Sequence, residues 1–368
     1  MALGDRNGFR TWLAWPGVPL AVASAVLFGA STPLAKRLLG DGTSPWLLAG
    51  LLYFGSGIGL GIAQIARRAF GVADVDAPLR RTDWPWLALV VLTGGVLGPL
   101  LLMLGLAATA ASTASLLLNL EGLATMAIAW LVFRENVDRR LLIGAAAILA
   151  GAVLLSWKGG PEGFGWGTLS IAGACLAWAV DNNLTRKLSA ADPLQIATIK
   201  GLAAGGVNLV LALALGARLP ALPDVAGAAV IGFFGYGVSL VLFVIALRHL
   251  GTARTGAYFS TAPFVGALLS ILVFGEAVTP RLLAAGLLMA LGVYLHLAER
   301  HAHDHLHEAI EHEHRHNHDA HHRHAHLPDD PPGEPHSHWH RHDPLSHSHA
   351  HYPDLHHRHG HHSTSGGL

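Results

Sequence analysis

Residues 131–142 read LVFRENVDRRLL and residues 272–283 read LVFGEAVTPRLL, so Glu135 answers Glu276 and Arg140 answers Arg281. Agreement over that length is the mark of an internal duplication. Working outward, residues 28–38 (FGASTPLAKRL) lie over residues 178–188 (WAVDNNLTRKL), with the basic pairs Lys36-Arg37 and Arg186-Lys187 in register. Pro45 likewise answers Pro193, each opening the next helix.

The material between these landmarks is strongly apolar. Of the 368 residues 52% are hydrophobic and only 13% are charged, outside the usual composition of a soluble domain. The apolar residues come in blocks of about 20, the length a helix needs to cross about 30 Å of hydrocarbon. Such windows fall near 18–38, 45–66, 84–107, 112–133 and 140–157, and again near 165–186, 193–216, 225–247, 253–275 and 280–298. The expectation is an all-α membrane protein of ten transmembrane helices in two five-helix repeats. Because five is odd, the second repeat is inverted in the membrane relative to the first, which is a transporter architecture.

Four regions follow: a cytoplasmic N-terminal segment at 1–17, a first repeat at 18–157, a second at 158–298 and a polar tail at 299–368. The first apolar run follows Arg6 and Arg10 and so has the look of a leader. Its internal counterpart argues that it is a retained helix. Lys and Arg concentrate on one side, at Arg67, Arg68, Arg80, Arg81, Arg134, Arg139, Arg186, Lys187, Arg248 and Arg254, against Lys36, Arg37, Lys158, Arg218 and Arg281 on the other. By the positive-inside rule both termini are cytoplasmic and the chain belongs in a bacterial inner membrane. The lone Cys175 excludes an intramolecular disulfide and a thiolate-based zinc site, and reads as packing.

The duplicated ending, with small residues and proline followed by an apolar stretch and then Arg-Glu or Gly-Glu, resembles the drug/metabolite transporter superfamily, in particular its EamA-type transporters. The likeness spans residues 18–298 and is strongest in LGTARTGAYFSTAPFVGALLSILVFGEAVTPRLLAAG, residues 250–286. It implies a ten-helix exporter of small molecules that works by alternating access. The first repeat departs from the pattern by carrying Glu121 and Gly122 where the second has Ala262 and Pro263.

Ionisable residues at membrane depth cost about 2.5–3.5 kcal/mol on insertion scales and mark functional sites by default. Glu121, in SLLLNLEGLATMAIAW, falls mid-span with Asn119 and Gly122 beside it. It reads either as a proton-coupling or cation-binding carboxylate, or as a structural hydrogen-bonding group. Asp181, with Asn182 and Asn183, and Lys200 sit on consecutive spans. They form a neutralising pair, or else line the mouth of a cavity that recognises a charged or zwitterionic solute. Trp178, Tyr53, Tyr236 and Tyr258 offer apolar faces with polar tips, or serve as packing and interfacial anchors. Glu135 and Glu276, at helix ends, read as terminal and gating contacts of the two repeats. Gly57, Gly61, Gly201 and Gly205 have the spacing of close helix packing, which also suits a homodimer contact.

All 26 histidines except His249 and His296 lie in residues 301–362. The segment has few apolar residues and carries Pro328, Pro331, Pro332, Pro335, Pro344 and Pro353, so disorder is expected. Two patches stand out as imidazole ligands for zinc, nickel or cobalt. The first holds His312, His314, His316, His318, His321, His322, His324 and His326. The second holds His336, His338, His340, His342, His347, His349 and His351. His312, Glu313 and His316 satisfy the zinc-protease pattern, but in a tract this rich in His the match carries no weight. With no phosphate-binding loop either, enzymatic activity is not expected, nor is a required cofactor. The expected partners are the lipid bilayer, a small-molecule solute and divalent metal ions on the tail, with no nucleic acid. Three functions remain: solute export, transition-metal transport assisted by the tail, and a membrane-anchored metal buffer or sensor.

Overall fold

A computed structural model describes residues 17–40, 42–70, 79–133, 139–157, 164–185, 188, 191–250 and 252–297, with 302–307, 310–316, 336–342 and 345–350 in the tail. The first half comprises α1 (Gly17–Gly40), α2 (Pro45–Ala69), α3 (Arg81–Ala107), α4 (Ala111–Leu117), α5 (Asn119–Phe133) and α6 (Arg139–Ser156). The second comprises α7 (Trp166–Thr185), α8 (Pro193–Ala214), α9 (from Leu222 to Leu250), α10 (Thr252–Phe259), α11 (Ala262–Phe274) and α12 (Pro280–Leu297). Among the described residues seven helical stretches are long and apolar enough to cross a membrane, and α11 and α12 are shorter apolar helices. Their outward faces carry Ile65, Leu131, Val210 and Leu272, each at least 67% exposed, as lipid contact requires.

The helix starts follow local chemistry. Pro45, Pro193 and Pro280 each stand in the first turn, where the missing N–H costs no bond. The Asp192 carboxylate accepts from Leu194 N at 2.8 Å and so caps α8. Gly275 ends α11 in the left-handed region, φ 62°, where a side chain would be strained.

The main helix pairings join one half of the chain to the other, and they are reciprocal. α1 packs on α9 and α11, while its counterpart α7 packs on α3 and α5. α2 packs on its own counterpart α8, and α6 on α12. The α2–α8 seam depends on small residues: a Cβ on Gly201 would lie 2.6 Å from Gly57 N, so backbones touch directly. These glycines are therefore used within the chain and do not carry the homodimer expectation.

Two departures from uniform helices recur at matching places. α3 widens to π-type turns at Val91–Leu97, and α9 does so at Phe233–Val238. The span expected at 112–133 is broken at Leu118, and that expected at 253–275 is broken at Ser260 and Thr261. At the second break Pro263 removes a backbone donor just inside α11. In the first, Leu118 N closes a tight turn onto Ser115 O at 3.1 Å. Glu121 therefore sits in the first turn of α5 and not inside one continuous helix.

In the tail, four short segments pair as antiparallel strands where the sequence reading expects no regular structure. β1 (Ala302–His307) pairs with β4 (Leu345–Ala350), and β2 (Ile310–His316) with β3 (His336–His342). Alternation of small, polar and His residues suits an extended backbone as well as a coil. The zinc-protease pattern falls on β2, and that motif needs a helix to bring its two His together, so the pattern is void.

Candidate functional site

The wide turn in α3 is the floor of the site. Its Gly94 carbonyl accepts from Tyr53 Oη and from Trp178 Nε1, both at 2.9 Å. The widened turn leaves this carbonyl free for side chains from two other helices, which is how such bulges serve functional sites. Gly94 is required because a Cβ there would collide with the Asp181 carboxylate.

Trp178, Asp181 and Asn182 lie within about one turn of α7. Lys200 Nζ, from α8, donates to Asp181 Oδ2 at 2.5 Å, and both residues are 5% exposed. The pair is neutralised and closed off, as an ionic couple at this depth must be. Thr185 Oγ1 adds a further donor to Asp181 Oδ1 at 3.3 Å. Consecutive spans do bring these two charges together.

One residue further along α7, Asn182 Nδ2 donates to Glu121 Oε1 at 2.9 Å. Glu121 and Asn182 are both only partly buried. Among the described residues no cation lies within ion-pair distance of Glu121. The position of Glu121 at the start of α5 suits a negative charge, because the first-turn N–H groups and the helix dipole face it. Asn183 instead turns back to Ala179 O at 2.8 Å and so belongs to the scaffold.

An aromatic cluster continues from Trp178. Phe28 stands edge-on to Trp178 and to Tyr236, with ring centres 5.9 and 5.8 Å apart, and 5.2 Å from Phe259. Tyr53 and Tyr236 are 5.2 Å apart. The structure thus gathers Glu121, Asp181, Asn182, Lys200 and Trp178. Asn119 is elsewhere: its amide donates to Leu116 O at 2.9 Å and faces Met289 of α12. Tyr258 packs with Val18, Ala21, Ala246 and Leu250 in a separate cluster. Residues that the sequence reading passed over are Gly94, Phe28 and Phe259. Paired glycines, Gly94-Gly95 in one half and Gly235 and Gly237 in the other, were the available signal for the wide turns.

A third carboxylate lies at one end of the helices. Ala111 N and Ser112 N donate to the two oxygens of Glu276 at 2.9 and 3.0 Å, so a second-half residue caps a first-half helix. Nearby, Lys36 Nζ donates to Leu106 O at 2.5 Å and Thr109 O at 3.0 Å, closing the end of α3. Arg281 donates to the carbonyls of Leu154 and Trp157 at the end of α6. A cavity of about 300 Å³ opens among Ser112, Thr113, Leu155, Glu276, Thr279 and Arg281. Glu135, the counterpart of Glu276, lies outside the described residues, as do His318, His321, His322, His324, His326 and His351 of the tail.

A doubled helical unit with a polar site at its centre has a match among protein families. The model of the EamA-like transporter family matches twice, over residues 15–157 and 165–298. The chain belongs to the EamA-like transporter family. It is a multi-pass membrane protein, and the family matches account for both halves of the bundle. A transporter of Methanothermobacter thermautotrophicus (strain ATCC 29096 / DSM 1053 / JCM 10044 / NBRC 100330 / Delta H), named as uncharacterized, is 28% identical over 74% of this chain and 84% of its own. The inner membrane transporter YedA of Escherichia coli (strain K12), likewise named as uncharacterized, is 28% identical over 43% of this chain and 55% of its own. The probable 4-amino-4-deoxy-L-arabinose-phosphoundecaprenol flippase subunit ArnE of Pseudomonas aeruginosa (strain UCBPP-PA14) is 38% identical over 26% of this chain and 85% of its own. A solved crystal structure shares the fold, with a TM-score of 0.56 and 22% identity over 76% of this chain and 95% of that one. Relatives named as transporters agree with a non-enzymatic role.

Proposed function

We propose that this EamA-like protein is a secondary transporter that exports a small solute by alternating access, with the solute held between the two halves at Glu121 and Asn182. The observation that carries the reading is the open Glu121–Asn182 contact at a broken helix, 2.9 Å, set beside the sealed Asp181–Lys200 pair. Interruptions at corresponding places in two halves are where transporters place their sites. Reciprocal pairing of the halves is what two inverted five-helix repeats would produce and supports ten spans, and the Lys and Arg excess on one side supports both termini being cytoplasmic. In that orientation the Glu276 cap on α4 lies on the outer face. It is a contact that must open for release, because it ties one half to the other.

Counterflow in vesicles holding the full chain tests the proposal, with amino acids, nucleosides, amines and divalent metals as the panel. Saturable counterflow of one class is the expected outcome. No counterflow by any of them would remove the transport reading.

A second reading, in which the tail binds zinc, nickel or cobalt and assists metal transport or buffering, draws on the strand register. Pairing sets His312, His314 and His316 opposite His340, His338 and His336, and sets His303 and His305 opposite His349 and His347. Directly opposed strand positions are about 5 Å apart, a spacing at which two imidazoles can share one ion. The full chain should bind several zinc or nickel ions at neutral pH and release them near pH 5, since protonated imidazole is no ligand. Calorimetry showing equal uptake by the full chain and a chain ending at residue 298 would discard the tail as the binder.

A further inference from the structure

The charges of the central site do not cancel. Asp181 and Lys200 satisfy one another at 2.5 Å and are almost fully buried, so neither is offered to a solute. Lys36 of α1 is committed to the carbonyls of Leu106 and Thr109 at one end of the bundle. What is left is the Glu121 carboxylate, whose described partner is the neutral Asn182 amide. An ionised group at membrane depth needs a compensating charge, a proton or water. An anionic solute would face this carboxylate with no available cation among the described residues, and a neutral solute would leave its compensation to a proton or water.

The walls point the same way. Tyr53 and Trp178 are buried and their polar tips are both spent on the Gly94 carbonyl, so they back the site and offer it no donor. Trp178 lies one helical turn before Asn182 on the same side of α7. Phe28 and Phe259, partly exposed, extend the aromatic surface. Ring faces attract cations, the more so away from water. There is also room beside the carboxylate: a Cβ on Gly122 would meet only Ser260 Oγ, at 3.9 Å, and Ser260 adjoins Phe259.

Resting on the transport reading above, we infer that the solute is an organic cation, an ammonium group carrying an apolar or aromatic body. The ammonium pairs with Glu121, and the body lies against Phe28 and Phe259. Asn182 orients the carboxylate through its amide donor.

The test uses proteoliposomes of the full chain and three probes of similar size: 2-phenylethylammonium, 2-phenylethanol and 3-phenylpropanoate. The ammonium probe is expected to show counterflow at least about tenfold faster than the other two, from the charge pairing. Glu121→Gln is expected to reduce ammonium counterflow at least about tenfold, and Glu121→Asp, which keeps the charge, to restore most of it. An unchanged gel-filtration profile and melting temperature would exclude misfolding as the cause. Counterflow of the alcohol or the carboxylate without the ammonium would overturn the cation inference and leave the transport reading standing. Ammonium exchange undiminished in Glu121→Gln, with only pH-driven uptake lost, would assign Glu121 to proton coupling and overturn its role as the ammonium partner. Failure of all three probes would overturn the inference, while the wider panel above would still decide the transport reading.

Discussion

Asp181 and the Glu121 partner Asn182 are successive residues of α7, yet the two carboxylates met there are held in opposite ways. Asp181 is sealed against Lys200 in a contact between α7 and α8, both side chains buried. Glu121 comes from the broken end of α5, is partly exposed and has an amide for company. The difference teaches that charge at membrane depth does two jobs. Where a full counter-ion is supplied within the fold the pair is scaffold, and where it is withheld the carboxylate is the group we propose that a solute meets. Glu276 is a third case, an end-of-helix carboxylate satisfied by two backbone donors at 2.9 and 3.0 Å.

The largest expected effect tests the sealed pair. Lys200→Met leaves Asp181 buried without its partner and should destabilise the protein by about 3–5 kcal/mol, with transport reduced and membrane insertion retained. The double substitution Lys200→Met with Asp181→Leu should recover most of that stability, since an apolar pair needs no counter-ion. Chemical unfolding in detergent measures both. A single variant as stable as the parent would show that the pair is not a buried couple, and the contrast with Glu121 would break.

Next in size is the seam that holds Lys200 in place. Gly201→Leu sets a side chain against the Gly57 backbone and should cost about 1–3 kcal/mol by overpacking. Thermal unfolding should show it, and counterflow should fall with it because α8 can no longer seat against α2. The same change at Gly206, where an added Cβ meets nothing within 4 Å, is the control and should leave both nearly unchanged.

Glu276→Gln should have a smaller effect, about 1 kcal/mol, the worth of a helix cap that has lost its charge. If the cap holds one end of the bundle shut, a cysteine placed at Thr113 in a Cys175→Ala background should react about fivefold faster with a maleimide in the variant, which is that energy as a rate. Equal labelling rates would show that the cap serves stability alone. The smallest effect is expected from ending the chain at residue 298. Counterflow of an organic solute should stay within about twofold, because the proposed site lies wholly in the helical part, whereas a larger fall would bring the tail into transport.

Much of this was legible before the fold. Lys200 and Asp181 were readable as partners because a charge in lipid must find one and consecutive antiparallel spans are neighbours. Glu121 was readable as special because it replaces the residue that Ala262 represents in the second repeat. The break at Leu118 was hidden, since SLLLNLEG contains no proline and its polar Asn119 and Glu121 read as residues inside one continuous span. The wide turns were hidden too: glycine pairs permit a π-type turn but do not demand one, and only the crowding of Trp178, Tyr53 and Asp181 around Gly94 makes it the better solution. Asn119 was grouped with Glu121 by proximity along the chain, yet two positions on a helix do not share a face, and the structure turns it to Met289.

By itself the sequence determined the helical membrane class and the duplication, because lipid forces each backbone segment to satisfy its own hydrogen bonds and leaves a hydropathy record in the chain. It also determined the stock of ionisable groups at membrane depth. Only the tertiary structure decided which carboxylate would be neutralised and which left open. That depends on whether a lysine 19 residues further along, in the next span, can reach within a hydrogen bond, and such a distance is set by how glycine-lined backbones pack, not by any local pattern.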